Sequence, residues 1–145
     1  MVSTSPTLAG SIRKGTRQGF STVFTLAKVL VPTYVLVDLL RDTALLSALA
    51  RILEPLMTVF GLPGEAALVL VAGYTVNLYA AIGALAPLGL SAHQITVLGL
   101  MLGIAHGLLL ETAVIRQVGT RWGLLAVLRL AVSFAAGAVV GNFGY

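Results

Sequence analysis

The chain contains no cysteine and very few charged residues. Without thiols it has no disulfide framework, no thiolate metal site and no cysteine nucleophile. Charged residues make up 10% of its 145 residues, whereas a soluble globular domain has about 25%. Hydrophobic residues account for 58%, and the mean hydropathy is +1.00. This composition excludes an ordinary soluble domain and predicts one domain embedded in a membrane.

Acidic residues are scarcer than basic ones, with five against nine, which gives a net charge of +4. The basic residues are spread over tails, loops and helix ends, as is usual for a membrane protein, so we expect no nucleic-acid partner. Residues 1–19 form a polar basic tail, in which Arg13, Lys14 and Arg17 are expected to contact anionic lipid headgroups. Residues 20–145 form the membrane domain.

The apolar segments predict an all-α integral membrane protein of about four to five hydrophobic helices. The first, Phe20–Leu40, is too long for the core of a signal peptide and is interpreted as a retained membrane helix. It contains Pro32 and Lys28. Lys28 either extends along its stem to the headgroups or points into a hydrated interior beside the proline.

The second segment, Ala44–Gly61, carries Arg51 and Glu54 and is a poor spanning helix. It either spans with a buried ion pair or enters and returns as a broken, re-entrant or interfacial segment. We favour the second arrangement, because an ion pair at the bilayer centre is costly. The turn sequence at residues 61–65 follows, and its Glu65 is either a helix-start acid or part of a re-entrant binding loop.

The segment Ala66–Leu88 is predicted to be one continuous span. Gly73 and Asn77 share one face of that helix with three alanines, which gives a close-approach surface with an amide at its middle. Asn77 either bonds a neighbouring helix or contacts a solute, and the hydroxyls of Tyr74 and Thr75 flank it along a polar path.

The apolar stretch 99–116 carries two ionisable side chains, His106 and Glu111, and we predict a continuous ladder helix over Ile95–Leu110. Glycines recur every four residues in it, which allows close helix approach, and Glu111 falls one step further along the same ladder. An ionisable side chain inside a membrane indicates a functional site. The helix-packing glycines predicted over the whole chain are Gly73, Gly99, Gly103, Gly107, Gly137 and Gly141.

His106 and Glu111 lie about 7.5 Å apart along a regular helix and about 140° apart around it. They could share one small ion only if the helix broke near residues 108–110 or if separate protomers contributed, so we predict no metal site and no cofactor. A proton-responsive role suits this pair better. Alternatively, His106 bonds a backbone carbonyl while Glu111 pairs with Arg116. No nucleophile–base pair is present, so the sequence does not predict an enzyme.

The basic residues give a conditional topology. The last apolar segment is Gly123–Val140. If all five segments span, the N-terminal tail, Arg116 and Arg121 share one side, which favours a cytoplasmic N-terminus. If Ala44–Gly61 returns to the side it entered, the two sides balance at three basic residues each. A chain without orientation bias could insert both ways and pair antiparallel, with one inverted repeat from each protomer.

The runs LAKVLVPTYVLVDLL, ARILEPLMTVFGLPGEAALVLVAG and AHGLLLETAVIRQVG resemble the nucleoside-recognition (Gate) domain family. Its relatives include the gate repeats of the bacterial ferrous iron transporter B and the spore maturation membrane proteins A and B. The resemblance covers residues 20–142 and implies a single gate-like repeat, hence a homodimer, in a prokaryotic cytoplasmic membrane. It also implies transport or gating of a small polar solute or ion, without establishing nucleosides.

A membrane scaffold or accessory subunit that binds a larger partner through its glycine ladders is the alternative function. It would need no solute site. The solute-binding or gating candidates under the first function are Asn77, His106, Glu111, Thr75, Tyr74, Glu65 and Lys28.

Overall fold

The computed structural model describes residues 8–117 and 121–143, and these residues contain helices and turns but no strand. The all-α fold predicted from the sequence is therefore confirmed. The helices are α1 (Leu8–Arg41), α2 (Ala44–Met57), α3 (Ala66–Thr75), α4 (Leu78–Leu85), α5 (Ala92–Ala105), α6 (Leu108–Gln117) and α7 (Trp122–Phe143).

Helices α1 and α7 are long and apolar enough to cross a bilayer. Their 34 and 22 residues correspond to about 51 Å and 33 Å, against a hydrocarbon core of about 30 Å. Only 6% and 11% of their most apolar windows are buried inside the chain, so most of their side chains need lipid around them. Helix α1 begins at Leu8 rather than at Phe20, so the described part of the predicted tail is helical.

Helix α2 is shorter than the bilayer. Thr43 caps its first turn, and its 14 residues correspond to about 21 Å, which favours a re-entrant or interfacial position over a span. A 3₁₀ turn, Thr58–Phe60, follows it, and Gly61 then adopts a left-handed conformation with φ of 64°. The turn predicted at residues 61–65 is confirmed. Several apolar side chains of α2 are exposed, for example Leu45 and Ile52.

Both predicted continuous helices in the middle of the chain are broken, so these two predictions were wrong. The segment Ala66–Leu88 divides into α3 and α4 at residues 76–77, which we call the first break. The ladder helix divides into α5 and α6 at residues 106–107, the second break. Helix α5 begins at a capping box, in which Ser91 and Gln94 bond each other's backbone amides.

The core lies between α3, α5 and α7. Val69 of α3 and Val97, Leu98 and Met101 of α5 are fully buried. Helix α7 packs along α5, and α4 packs between α3 and α1. Because these helices are rich in small residues, their backbones approach closely.

Four of the predicted packing glycines lie inside the chain, and two face outward. A Cβ at Gly137 would lie 2.5 Å from the Met101 sulfur, while Gly141 lies against the carbonyl of Phe60. Gly73 contacts Leu102, and Gly107 is a buried turn residue. By contrast, a Cβ at either ladder glycine of α5 would meet no described atom within 4 Å; these two are Gly99 and Gly103.

Candidate functional site at the paired helix breaks

The two breaks contact each other through the backbone. The amide of Gly107 in the second break donates a 2.8 Å hydrogen bond to the carbonyl of Gly73, one turn before the first break. The carbonyl ends of α3 and α5 and the amide ends of α4 and α6 therefore meet in one region. Ends of helices carry unpaired backbone groups and partial charges, so this region is polar although the helices around it are apolar.

Asn77 forms the first break, and the prediction that it lies on a helix face is wrong. Its backbone is extended, and its side-chain oxygen accepts a 2.9 Å hydrogen bond from the amide of Ala80. The amides of Val76 and Asn77 both donate to the carbonyl of Ala72, at 2.9 and 3.2 Å. Asparagine is a preferred residue at the start of a helix, because its side chain accepts a hydrogen bond from an amide that the helix leaves unpaired. This local cap therefore interrupts the helix that was predicted to be continuous.

The second break begins with His106 and turns at Gly107. Gly107 has φ of 61°, a left-handed conformation that disfavours any residue with a Cβ. The Nδ1 atom of His106 lies 2.9 Å from the carbonyl of Leu102. Because a carbonyl only accepts, Nδ1 is the donor in this hydrogen bond.

The turn at Gly107 brings His106 and Glu111 together. The Nε2 atom of His106 lies 3.9 Å from Oε1 of Glu111, although a regular helix would hold these side chains apart. The break that such proximity requires therefore exists, just before the predicted residues 108–110. No group of three His, Cys, Asp or Glu side chains that could hold a metal occurs within the described ranges.

Arg129 of α7 holds the second break from outside, and sequence reasoning did not identify it as a site residue. Its Nε donates a 3.0 Å hydrogen bond to the carbonyl of Ile104 at the end of α5. Its Nη1 forms an ion pair with Oε2 of Glu111 at the start of α6. One guanidinium thus joins the two helices on either side of the break.

The sequence offered Arg116 as the alternative partner of Glu111, and this prediction was wrong. The guanidinium of Arg116 instead lies 5.9 Å from the centre of the Trp122 ring, within the range of a cation–π interaction. Arg129 competes successfully because it reaches Glu111 from another helix, whereas Arg116 lies on the exposed side of α6.

A second polar connection involves Ser133, which is fully buried. Its hydroxyl donates to the carbonyl of Met101 at 2.8 Å and accepts from the hydroxyl of Tyr74 at 2.8 Å. Helices α3, α5 and α7 are therefore joined beside the breaks. Arg129, Ser133, Gly137 and Gly141 recur every four residues along one face of α7, a signal in the sequence that could have identified this helix as the support of the site.

Two cavities flank the breaks, and Thr75 lines both of them. One, of about 390 Å³, lies between α3, α6 and α7 and is lined by Tyr74, Leu108 and Thr112 among others. The other, of about 320 Å³, lies between α1, α3 and α4. The hydroxyl of Thr75 donates to the carbonyl of Val71 at 2.6 Å, so its methyl and oxygen are held at the boundary of the two cavities.

Two predicted site residues lie away from the breaks. Glu65 precedes α3 at the end opposite the first break, about 15 Å away along that helix. Lys28 is exposed on α1, with its ammonium 4.9 Å from the centre of the Phe24 ring. The structure therefore brings Tyr74, Thr75, Asn77, His106 and Glu111 together and leaves these two outside.

Paired discontinuous helices beside long apolar spans define a class of integral membrane proteins whose broken helices meet within the membrane domain. Within this class, the chain belongs to the nucleoside-recognition (Gate) family, whose family model matches residues 23–143. The family resemblance seen in the sequence is thus confirmed.

The relatives come in two lengths. The membrane protein YvoD of Bacillus subtilis is 41% identical over 128 residues, which cover 88% of this chain and 41% of that protein. The inner membrane protein YjiG of Escherichia coli K12 is 39% identical over 89 residues, 58% of each chain. The chain thus matches less than two thirds of either relative. No solved structure matches the chain.

Proposed function

We propose that this protein is a membrane transport or gating half-unit for a small polar solute or ion and that it acts as a homo-oligomer in a prokaryotic cytoplasmic membrane. The observation that carries the proposal is the hydrogen bond between Gly107 and Gly73, which joins two broken helices. In secondary transporters, broken helices bring backbone amides and carbonyls to the substrate near the bilayer midplane.

The polarity of the breaks supports this proposal. Irregular backbone at membrane depth is tolerated only where it is buried in protein or lines a water-filled cavity. Here the first break adjoins both cavities through Thr75. A solute in the 320 Å³ cavity would contact Thr75 and lie beside Val76 and Ala80, at the amide end of α4 that Asn77 caps.

The charged groups of the second break supply a way to gate the site. Glu111 faces Arg129 on one oxygen and His106 on the other. Any group that binds this carboxylate competes with Arg129 for it. A weaker Arg129–Glu111 pair would release the end of α5 from the start of α6, and the second break would open.

The outward glycines of α5 support the homo-oligomer. Gly99 and Gly103 leave open space above the helix backbone, a surface that suits another closely packed helix. YvoD, of which the match covers only 41%, has room for a second stretch of the same length. An antiparallel pair of this chain would supply an inverted repeat from two protomers.

Ligand-dependent thermal unfolding of the purified protein in detergent tests the solute site. We expect one of three probes, uridine, Mn²⁺ or succinate, to raise the midpoint of unfolding, because a ligand that binds the folded state stabilises it. Thr75→Val and Asn77→Ala should lose the shift. Glu54→Gln, which changes an exposed carboxylate on α2, should keep it. A shift that survives both site variants would overturn the assignment of the site.

Cysteine cross-linking tests the oligomer, because the chain has no native cysteine. We expect Gly103→Cys to form a disulfide-linked dimer in membranes and Gly15→Cys, on the exposed start of α1, to form none. Monomers only, together with co-purification of one different membrane protein, would instead support the scaffold or accessory function.

A further inference from the structure

The 390 Å³ cavity has a property that the proposed solute site does not use. Its lining is almost wholly apolar, and it runs between α6 and α7 from the first break toward the end of the membrane domain where Trp122 begins α7. Leu108 and Leu109 form one wall, and Ala126 and Leu130 form the other. The volume lies within the range of about 300–1,000 Å³ that suits a small ligand. An apolar ligand fits this lining better than a polar solute does.

The outer end of this groove is basic. Trp122 lines the groove, and the guanidinium of Arg116 lies over its ring. Arg121 is exposed immediately before Trp122. The sequence from residue 108 to 143 contains three arginines and one glutamate, a net charge of +2. Because Arg129 pairs with that glutamate, the excess charge lies at Arg116 and Arg121.

We propose that this groove binds one anionic glycerophospholipid. Its phosphate contacts Arg116 and Arg121, and one acyl chain lies along the groove toward Tyr74 and Thr75. Basic pockets between membrane helices recognise anionic headgroups by this chemistry, and an interfacial tryptophan fits the junction between headgroup and chain. The eight residue steps from Leu108 to Arg116 give the groove a length of about 12 Å, so the acyl chain extends to the first break.

The remaining basic cluster provides a matched comparison. Arg13, Lys14 and Arg17 line a shallow site on α1, where no apolar groove continues from them among the described residues. That cluster attracts anionic headgroups through charge alone. The groove of α6 and α7 adds a place for the acyl chain, and this addition makes a specific lipid site.

Trp122 is the only tryptophan in the chain and is 44% exposed, so its fluorescence reports on this groove alone. The protein is reconstituted in phosphatidylcholine vesicles containing a small, fixed fraction of bromine-labelled phosphatidylglycerol or bromine-labelled phosphatidylcholine. We expect about tenfold preference for the anionic lipid at the site, which corresponds to about 1.4 kcal/mol. Phosphatidylglycerol should therefore quench Trp122 much more strongly at equal mole fraction.

Three variants separate the site from general charge attraction. Arg116→Gln with Arg121→Gln should abolish the preference, and Lys14→Gln with Arg17→Gln should retain it. Ala126→Phe fills the groove without changing charge and should lower quenching by the anionic lipid. Equal quenching by the two lipids in the native protein would overturn the proposal. A preference lost equally in both double variants, with helical circular dichroism unchanged, would also overturn it.

Discussion

The two breaks are closed in different ways. Asn77 closes the first break by itself, because its side chain accepts from the amide of Ala80 three residues later. The second break relies on another helix, since Arg129 of α7 bonds the end of α5 and the start of α6. Its local contributions are the left-handed Gly107 and the hydrogen bond from His106 to the carbonyl of Leu102. The first break is thus built from local sequence, and the second is held by a long-range ion pair.

This difference indicates which break can move. A neutral cap within one segment responds little to its surroundings. An ion pair between helices depends on protonation, on water and on any group that competes for Glu111. We therefore assign the movable element to the second break and the fixed element to the first.

The largest effect is expected for Arg129→Met, which removes the ion pair that holds the second break. It leaves Glu111 without its cation, and loss of one partner of a buried pair costs about 3–5 kcal/mol. Because the side chain of Glu111 is 40% exposed, solvent screens the pair, and we expect a loss of about 2 kcal/mol in the free energy of unfolding, measured by thermal unfolding in detergent. Arg51→Met, which changes an exposed arginine on α2, is the matched control and should change it by less than about 0.5 kcal/mol.

Adding Glu111→Gln to Arg129→Met tests the same contact from the other side. The double variant should recover part of the lost stability, because the uncompensated carboxylate is gone. Strictly additive losses would show that the two side chains do not act as a pair.

Gly107→Ala strains the left-handed turn of the second break. A Cβ in the left-handed conformation costs about 1–2 kcal/mol, so we expect the midpoint of thermal unfolding to fall. Gly15→Ala provides the control, since this glycine lies in α1 and a Cβ there would meet no described neighbour. That control should be neutral or stabilise the protein by up to about 1 kcal/mol. Equal behaviour of the two variants would remove the case for a required left-handed turn.

Asn77→Ala removes the cap of the first break. The free energy of unfolding should fall by about 1 kcal/mol. This loss is smaller than that expected for Arg129→Met, because a cap within one segment contributes less than an ion pair between helices. Asn77→Ser keeps a capping oxygen and should restore most of the stability. If Asn77→Ala costs more than Arg129→Met in the same assay, the assignment of fixed and movable breaks is reversed.

Tyr74→Phe is expected to have the smallest effect on stability, because it removes one hydrogen bond from the polar connection between the core helices. Ser133 keeps its hydrogen bond to Met101, so the loss should be about 0.5–1.5 kcal/mol for one hydrogen bond. Tyr79→Phe alters an exposed tyrosine and should have no measurable effect on the unfolding midpoint. A cost at Tyr79 that equals the cost at Tyr74 would argue against the buried connection.

The sequence predicted the all-α membrane class and the turn at residues 61–65, because the first depends on composition and the second on residues a few positions apart. It also identified His106 and Glu111 as unusual ionisable groups. It did not predict either break, since hydrophobic periodicity continues through both. The cap at Asn77 was readable from residue type, but it competed with a strong apolar pattern. The role of Arg129 depends on how α7 packs against α5 and α6, which no local pattern contains.

Access of water to the first break tests the central claim most directly. In the native chain, which has no cysteine, Thr75→Cys and Val132→Cys are each treated in proteoliposomes with a charged, membrane-impermeant thiol reagent. Thr75 lines both cavities, whereas Val132 is exposed on the middle of α7, where we expect lipid to cover it. We predict modification of Thr75→Cys and none of Val132→Cys. Equal protection of the two cysteines would contradict a polar site at the paired breaks.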